Sequence, residues 1–252
     1  MVRGVGLLPA APLLIEDITS VRPAGIDAVA RAVRDVAASV SDSQGVVLVA
    51  GADAAGIATQ SSTDLRTIGR SDVRTRWSVP HELTTAVAGA TGLALDGAAM
   101  SLELSVLCLQ MPPATPLLAM SVPRKAALAE LVDLAGIVEA VLTAQAAGWS
   151  VVAVGDGSAG LSAQAPLHLV AGASAWQDAY VAALDAGDLD VLAGLGPKRA
   201  RAVGSRGWAP SVFAAAVARH AGLRLAVTFH AAPRGVGYVV ASSAPGTMPA
   251  DA

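Results

Sequence analysis

The sequence predicts an α/β protein in three layers, α/β/α, with a mostly mixed central sheet covered by helices on both faces. Three observations carry this. Short Val/Leu/Ile runs alternate with longer segments of helical period along the chain. Most of those runs are apolar at odd and even positions alike, as strands buried on both faces are. Finally, 54% of the 252 residues are hydrophobic, alanine included, which is enough for a sizeable core.

The candidate strands are residues 5–8, 46–50, 117–121, 151–154, 223–228 and 236–241. Helices lie between them. In "PAGIDAVARAVRDVAASV", Ile26, Val29, Val33, Val36 and Val40 recur at three and four and make one apolar stripe. Pro23 and Gly25 mark the start of that helix and Ser41-Asp42 its end. The longest helix is opened by Pro123 and followed by Gly148 as a C-terminal cap. Residues 172–195 and 209–221 read as two more. Residues 51–80 and 108–116 read as loop-like insertions, with "MPPATP" a rigid connector. No repeat or linker divides the chain, so residues 1–243 read as one domain and "APGTMPADA", 244–252, as a disordered tail.

Composition excludes several classes. The formal charge is −3 with no basic block, and only Lys125 and Lys198 are lysine, so no nucleic-acid footprint is expected. No apolar stretch free of charge and proline reaches the roughly 18 residues of a membrane span. The N-terminal run holds Pro9 and Pro12 and meets Glu16 and Asp17, so it reads as a first strand and not a signal peptide. The single cysteine, Cys108, precludes an internal disulfide and a Cys-rich zinc site. Within "SVLCLQM" it reads as a buried, inert thiol, and a cytoplasmic location is expected.

"VVAVGDGSAG", residues 151–160, holds Gly155, Gly157 and Gly160 in G-x-G-x-x-G spacing after a strand. A dinucleotide site needs a helix opening at that loop and an acid about 20 residues on at a strand end. Here the loop runs on through Ala165-Pro166, Asp178 falls within a helical segment, and no P-loop lysine follows. Nor is it the nucleophile elbow G-x-S-x-G. Asp156 and Ser158 read first as loop side chains bonding their own backbone. The histidines, His81, His168, His220 and His230, form no metal-ligand spacing. His230, at a strand end beside "AAPRGVGY", is the best functional candidate among them. Arg206 in "RGWAP" and Arg234 in "PRGVGY" are candidate anion holders, against the plainer role of covering apolar surface.

Several segments, in this order, resemble one family: the LigB-like superfamily of class III extradiol ring-cleavage dioxygenases, which also holds the Memo proteins, in a divergent Ala-rich branch of high-GC bacteria. "LLPAAPLLIEDI" resembles the family's strand-loop opening, where a histidine precedes Pro-Pro-Leu-Leu. "GVVLVAGADAAG" resembles its second strand, which ends in Ser-Pro-His. "VVAVGDGSAGLSAQAPLHLVAGASAWQDAYVAAL" is similar to its G-D-L-S-H loop, Pro-rich stretch and following helix. "RAVGSRGWAPSVFAAAVA" and "APRGVGYVVAS" resemble its late turn and helix and its final strand.

The resemblance implies the α/β fold and a non-haem Fe(II) held by two histidines and a carboxylate, with open positions for a catechol and dioxygen. The chain departs at each histidine. The metal-binding pair maps to Ala10 and to Ala52, or Asp53 with a one-residue slip; the acid/base histidine maps to Ala159. No glutamate occurs after Glu139, where the family supplies one late. The expectation is therefore a LigB-like protein without iron or another cofactor, without ring cleavage, and with its cleft retained for a small anionic or aromatic ligand or a protein partner. Asp156, Ser158, His230 and Arg234 are the expected cleft residues. The alternatives are an extradiol dioxygenase with relocated ligands and another small-ligand enzyme acting through Asp53, Asp156, Arg234 or His230. A homo-oligomer is compatible with all three.

Overall fold

The computed structural model describes residues 1–18, 23–96 and 100–243. The 244–252 tail lies outside the described residues. The protein is an α/β protein with a seven-stranded mixed sheet. Strands β1 (Val2–Leu8), β2 (Gly45–Ala52), β6 (Leu117–Pro123) and β7 (Trp149–Val154) form a parallel block in the order β6-β2-β7-β1. Antiparallel strands complete both edges: β3 (Gly56–Ala58) beside β6, then β9 (Tyr238–Ser243) and β8 (Leu225–Ala231) beside β1. A separate hairpin pairs β4 (Ser62–Leu65) with β5 (Arg70–Arg76).

Alternation along each parallel strand explains why these runs are apolar throughout. Val47, Val49, Val151 and Ala153 point into one core, and Val46, Leu48, Val152 and Val154 into the other. The first core is closed by α2 (His81–Thr91), α4 (Leu128–Ala144), α5 (Ala173–Ala186), α6 (Leu189–Ala202) and α7 (Trp208–His220). The second is closed by α1 (Ile26–Ser41) and α3 (Leu102–Gln110). Helix α1 buries Ile26, Val29, Val33, Val36 and Val40, the stripe its spacing predicts. No described helix is long and apolar enough to cross a membrane.

The differences from the sequence reading have local causes. Residues 172–195 are two helices, because Gly187 takes a left-handed φ of 68° and Asp188 caps the next helix through its carboxylate, bonded by Asp190 and Val191 N–H. The longest helix opens at Leu128 rather than Pro123, which ends β6; Glu130 turns back to accept the Ala127 N–H at 2.9 Å. The 51–80 insertion holds β3 and the β4-β5 hairpin, and α3 begins ahead of the second insertion and runs into it, to Gln110.

The parallel block positions the site. β7 enters the sheet between β1 and β2, so the loops after all three strands leave the same sheet edge. Adjacent strands lie about 4.8 Å apart, which puts the ends of β1 and β2 roughly 10 Å from each other. Ligands of open α/β sheets bind at such an edge.

Candidate functional site

Gly155-Asp156-Gly157-Ser158 follows β7 and is pinned on every side by backbone. Gly155 N–H bonds Leu8 C=O at 2.9 Å, and a side chain there would stand 2.4 Å from the Val239 carbonyl oxygen. Gly157 N–H bonds the Gly237 carbonyl at 2.8 Å. Gln177 Oε1 accepts the Ser158 N–H at 2.8 Å and occupies the space where a Gly157 Cβ would go. Gly160 similarly makes room for Val170. All three glycines thus admit protein atoms and leave no cradle for a pyrophosphate. Ser158 is fully buried; its hydroxyl donates to Val203 C=O at 2.9 Å and accepts Gly160 N–H at 3.1 Å. It is a backbone staple.

Asp156 differs from its neighbours. Its carbonyl accepts Gly207 N–H at 2.8 Å and the Ser205 hydroxyl at 2.9 Å, which ties the α6–α7 turn to the end of β7. Its carboxylate accepts Ala10 N–H at 3.2 Å, linking the loops after β1 and β7. Asp156, Ala10 and Ala159 line one cavity of about 450 Å3, together with Glu103, Arg206 and Tyr238. The cavity wall is mostly apolar, with Pro12, Leu102 and Val236 among its residues.

Burial pushes the Asp156 carboxyl up to about 7, and the negative charge of Glu103 adds to it; the Ala10 N–H bond and the Arg206 charge oppose. Burial likewise raises the Tyr238 hydroxyl to about 12, with Asp156 contributing. Glu103 goes the other way. Its burial alone would raise it, but the hydrogen bond from Arg206 and the nearby Arg124 hold it below the usual carboxylate range. Arg206 Nη1 contacts Glu103 Oε1, and Arg124 Nη2 lies 3.8 Å from the same oxygen. The result is one carboxylate locked in its charged form and a second that changes charge near neutrality.

Ala52 and Asp53, at the end of β2, do not line this cavity. Asp53 is almost fully exposed, 3.9 Å from Arg124 Nη1, and lines a second pocket alongside. His230 is exposed on the edge strand β8, and Arg234 is exposed in the turn that follows, at a φ of 55°. Neither lines the cavity, so the cation and the polar partner expected from the β8-β9 connection are replaced there by Arg206 and Tyr238. The other histidines are exposed too: His81 opens α2, His168 sits in the loop with Nδ1 3.2 Å from Ala163 O, and His220 ends α7.

Glu103 escaped the sequence reading because residues 101–110 look like one apolar run. The signal was present: Ser101 caps α3 by accepting Leu104 N–H, and an acid in the first turn follows a Ser cap naturally. Among the described residues, no three His, Cys, Asp or Glu side chains group in a way that could hold a metal ion.

The chain is similar in fold to the crystal structure of an uncharacterised protein from Escherichia coli K12, with a TM-score of 0.64 and 12% identity over 95% of this chain and 98% of that one. No protein-family model and no curated protein matches it. At that identity the likeness concerns the fold.

Proposed function

We propose that the protein is a small-molecule-binding member of the LigB-like class III dioxygenase fold, in which the iron site has become an apolar cavity with an Asp156–Glu103–Arg206 polar edge. The observation that supports this best is convergence. Ala10 and Ala159, two positions where the motifs of the resemblance place histidines, come from distant segments and line one cavity with Asp156. Its size and few polar groups suit a small aromatic or anionic ligand.

The residues present do not fit the Fe(II) that the resemblance implies. Alanine at 10 and 159 offers no donor, Glu103 is engaged by two guanidinium groups, and Asp156 alone remains.

A fragment screen by NMR, using phenols and aromatic carboxylates, tests the reading. Fragments should shift the signals of Ala10, Ala159 and Tyr238, and Arg206→Ala should weaken the carboxylates more than the phenols. Shifts confined to other surfaces would sink it. One observation favours a second reading, an enzyme: a carboxyl that titrates near neutrality can accept or return a proton. Turnover of an acidic phenol that rises through about pH 7 and is lost in Asp156→Asn would establish that version.

A further inference from the structure

A second pocket of about 390 Å3 adjoins the first, and Gly204 and Arg206 line both. Its chemistry is different. Arg124, Lys125, Arg201 and Arg206 all line it, against Asp53 at its rim. Glu103, behind Arg206 and Arg124, is the other carboxylate in reach. Four cations against Asp53 and Glu103, with Asp156 beyond Arg206 about half ionised near pH 7, leave a local charge between +1 and +2 in a chain whose net charge is −3.

Arg206 is paired with Glu103, and the other three cations keep donors in hand. Lys125 and Arg201 are exposed and have no carboxylate partner among the described residues. Arg124 lies flat over Gly51, where a Cβ would stand 2.8 Å from its Cγ. Its Nε is buried without a hydrogen-bond partner, and its Nη atoms stand 3.9 and 3.8 Å from Asp53 and Glu103, beyond hydrogen-bonding distance. The Nη donors, free of short bonds to a carboxylate, are the ones open to an oxyanion in the pocket. Trp208 and Ala209, from the first turn of α7, complete the lining on the side where the helix dipole favours negative charge.

We propose that this second pocket is a binding site for a dianionic group, the phosphate of a small phosphate monoester, held by Arg124, Lys125, Arg201 and Arg206. A phosphate dianion neutralises the local excess and offers enough oxygens for several guanidinium and ammonium donors at once. Through the shared Arg206, an organic body attached to that phosphate would extend into the first cavity. The pocket would bind phosphate whether or not the first cavity is occupied.

Calorimetric titration of the protein with inorganic phosphate, at ionic strength held constant with chloride, reads this directly. Saturable binding is expected. Lys125→Ala/Arg201→Ala, two exposed positions whose loss leaves the core intact, should weaken it by at least about tenfold, as removal of two charge-assisted contacts requires. His230→Ala, exposed on β8 and lining neither pocket, should leave it within about twofold, well under the roughly 1.4 kcal/mol of a tenfold change. Absence of saturable binding, or undiminished binding by the double variant, overturns the site. Tighter binding of malonate than of phosphate overturns the phosphate assignment in favour of dicarboxylates. Phosphate binding without any fragment binding near Ala10 and Ala159 supports this pocket and removes the first reading alone.

Discussion

Replacing Asp156 with asparagine should stabilise the protein at neutral and alkaline pH and leave its stability unchanged in acid. In the folded protein the carboxyl titrates at about 7, against 3.8 for an ordinary aspartate. The folded state therefore holds this proton more tightly than the unfolded chain does. Its stabilising contribution is complete below 3.8, declines as pH rises and is gone above about 7. Each pKa unit corresponds to about 1.4 kcal/mol, so the full span is about 4 kcal/mol. That is a ceiling, because Asp156 is accessible on its cavity side and water there softens the penalty; about 2–4 kcal/mol is the expected range. Asparagine keeps the shape and can still accept the Ala10 N–H, but it carries no charge at any pH. Urea unfolding of both proteins between about pH 4 and pH 8 should show the variant's advantage growing through that window and then levelling. A difference that is flat with pH would refute the reasoning, and a wild type that gains on the variant as pH rises would reverse it.

Gly207→Ala places a Cβ 2.5 Å from the Asp156 carbonyl oxygen and 2.6 Å from its nitrogen. Neither backbone atom can swing away, so a loss of about 3 kcal/mol is expected by thermal or urea unfolding, and an unchanged stability would contradict the tight α6–α7 turn. Glu103→Gln removes the charge that raises Asp156 and frees Arg206 to oppose it; an NMR titration should find the Asp156 pKa lower than in the wild type, with about 1–3 kcal/mol of stability lost. Cys108 is buried and burial pushes its thiol up, so iodoacetamide should label it only on unfolding; rapid labelling of the native protein would refute that burial.

The sequence by itself determined the α/β class and the placement of most strands. Runs such as 46–50 and 151–154 are apolar on both faces, and only a sheet covered on both sides accommodates that pattern. It determined the stripe of α1 for the same reason: burial of one helix face leaves a local period. The resemblance pointed to Ala10, Asp156 and Ala159, and the structure brings these three positions to one cavity. Tertiary structure alone decided which polar groups join those three positions. Glu103 and Arg206 stand 103 residues apart, on either side of Asp156 in the chain, yet the first turn of α3 and the α6–α7 turn bring them to one cavity wall. Arg234 and Arg206 look alike in sequence, each beside a glycine and near an aromatic. The edge position of β8 turns Arg234 to solvent, while the bond from Gly207 N–H to the Asp156 carbonyl draws Arg206 over the cavity. Local patterns record which face of an element is buried; they carry no record of which distant elements meet, because that is settled by how the sheet edge gathers its loops.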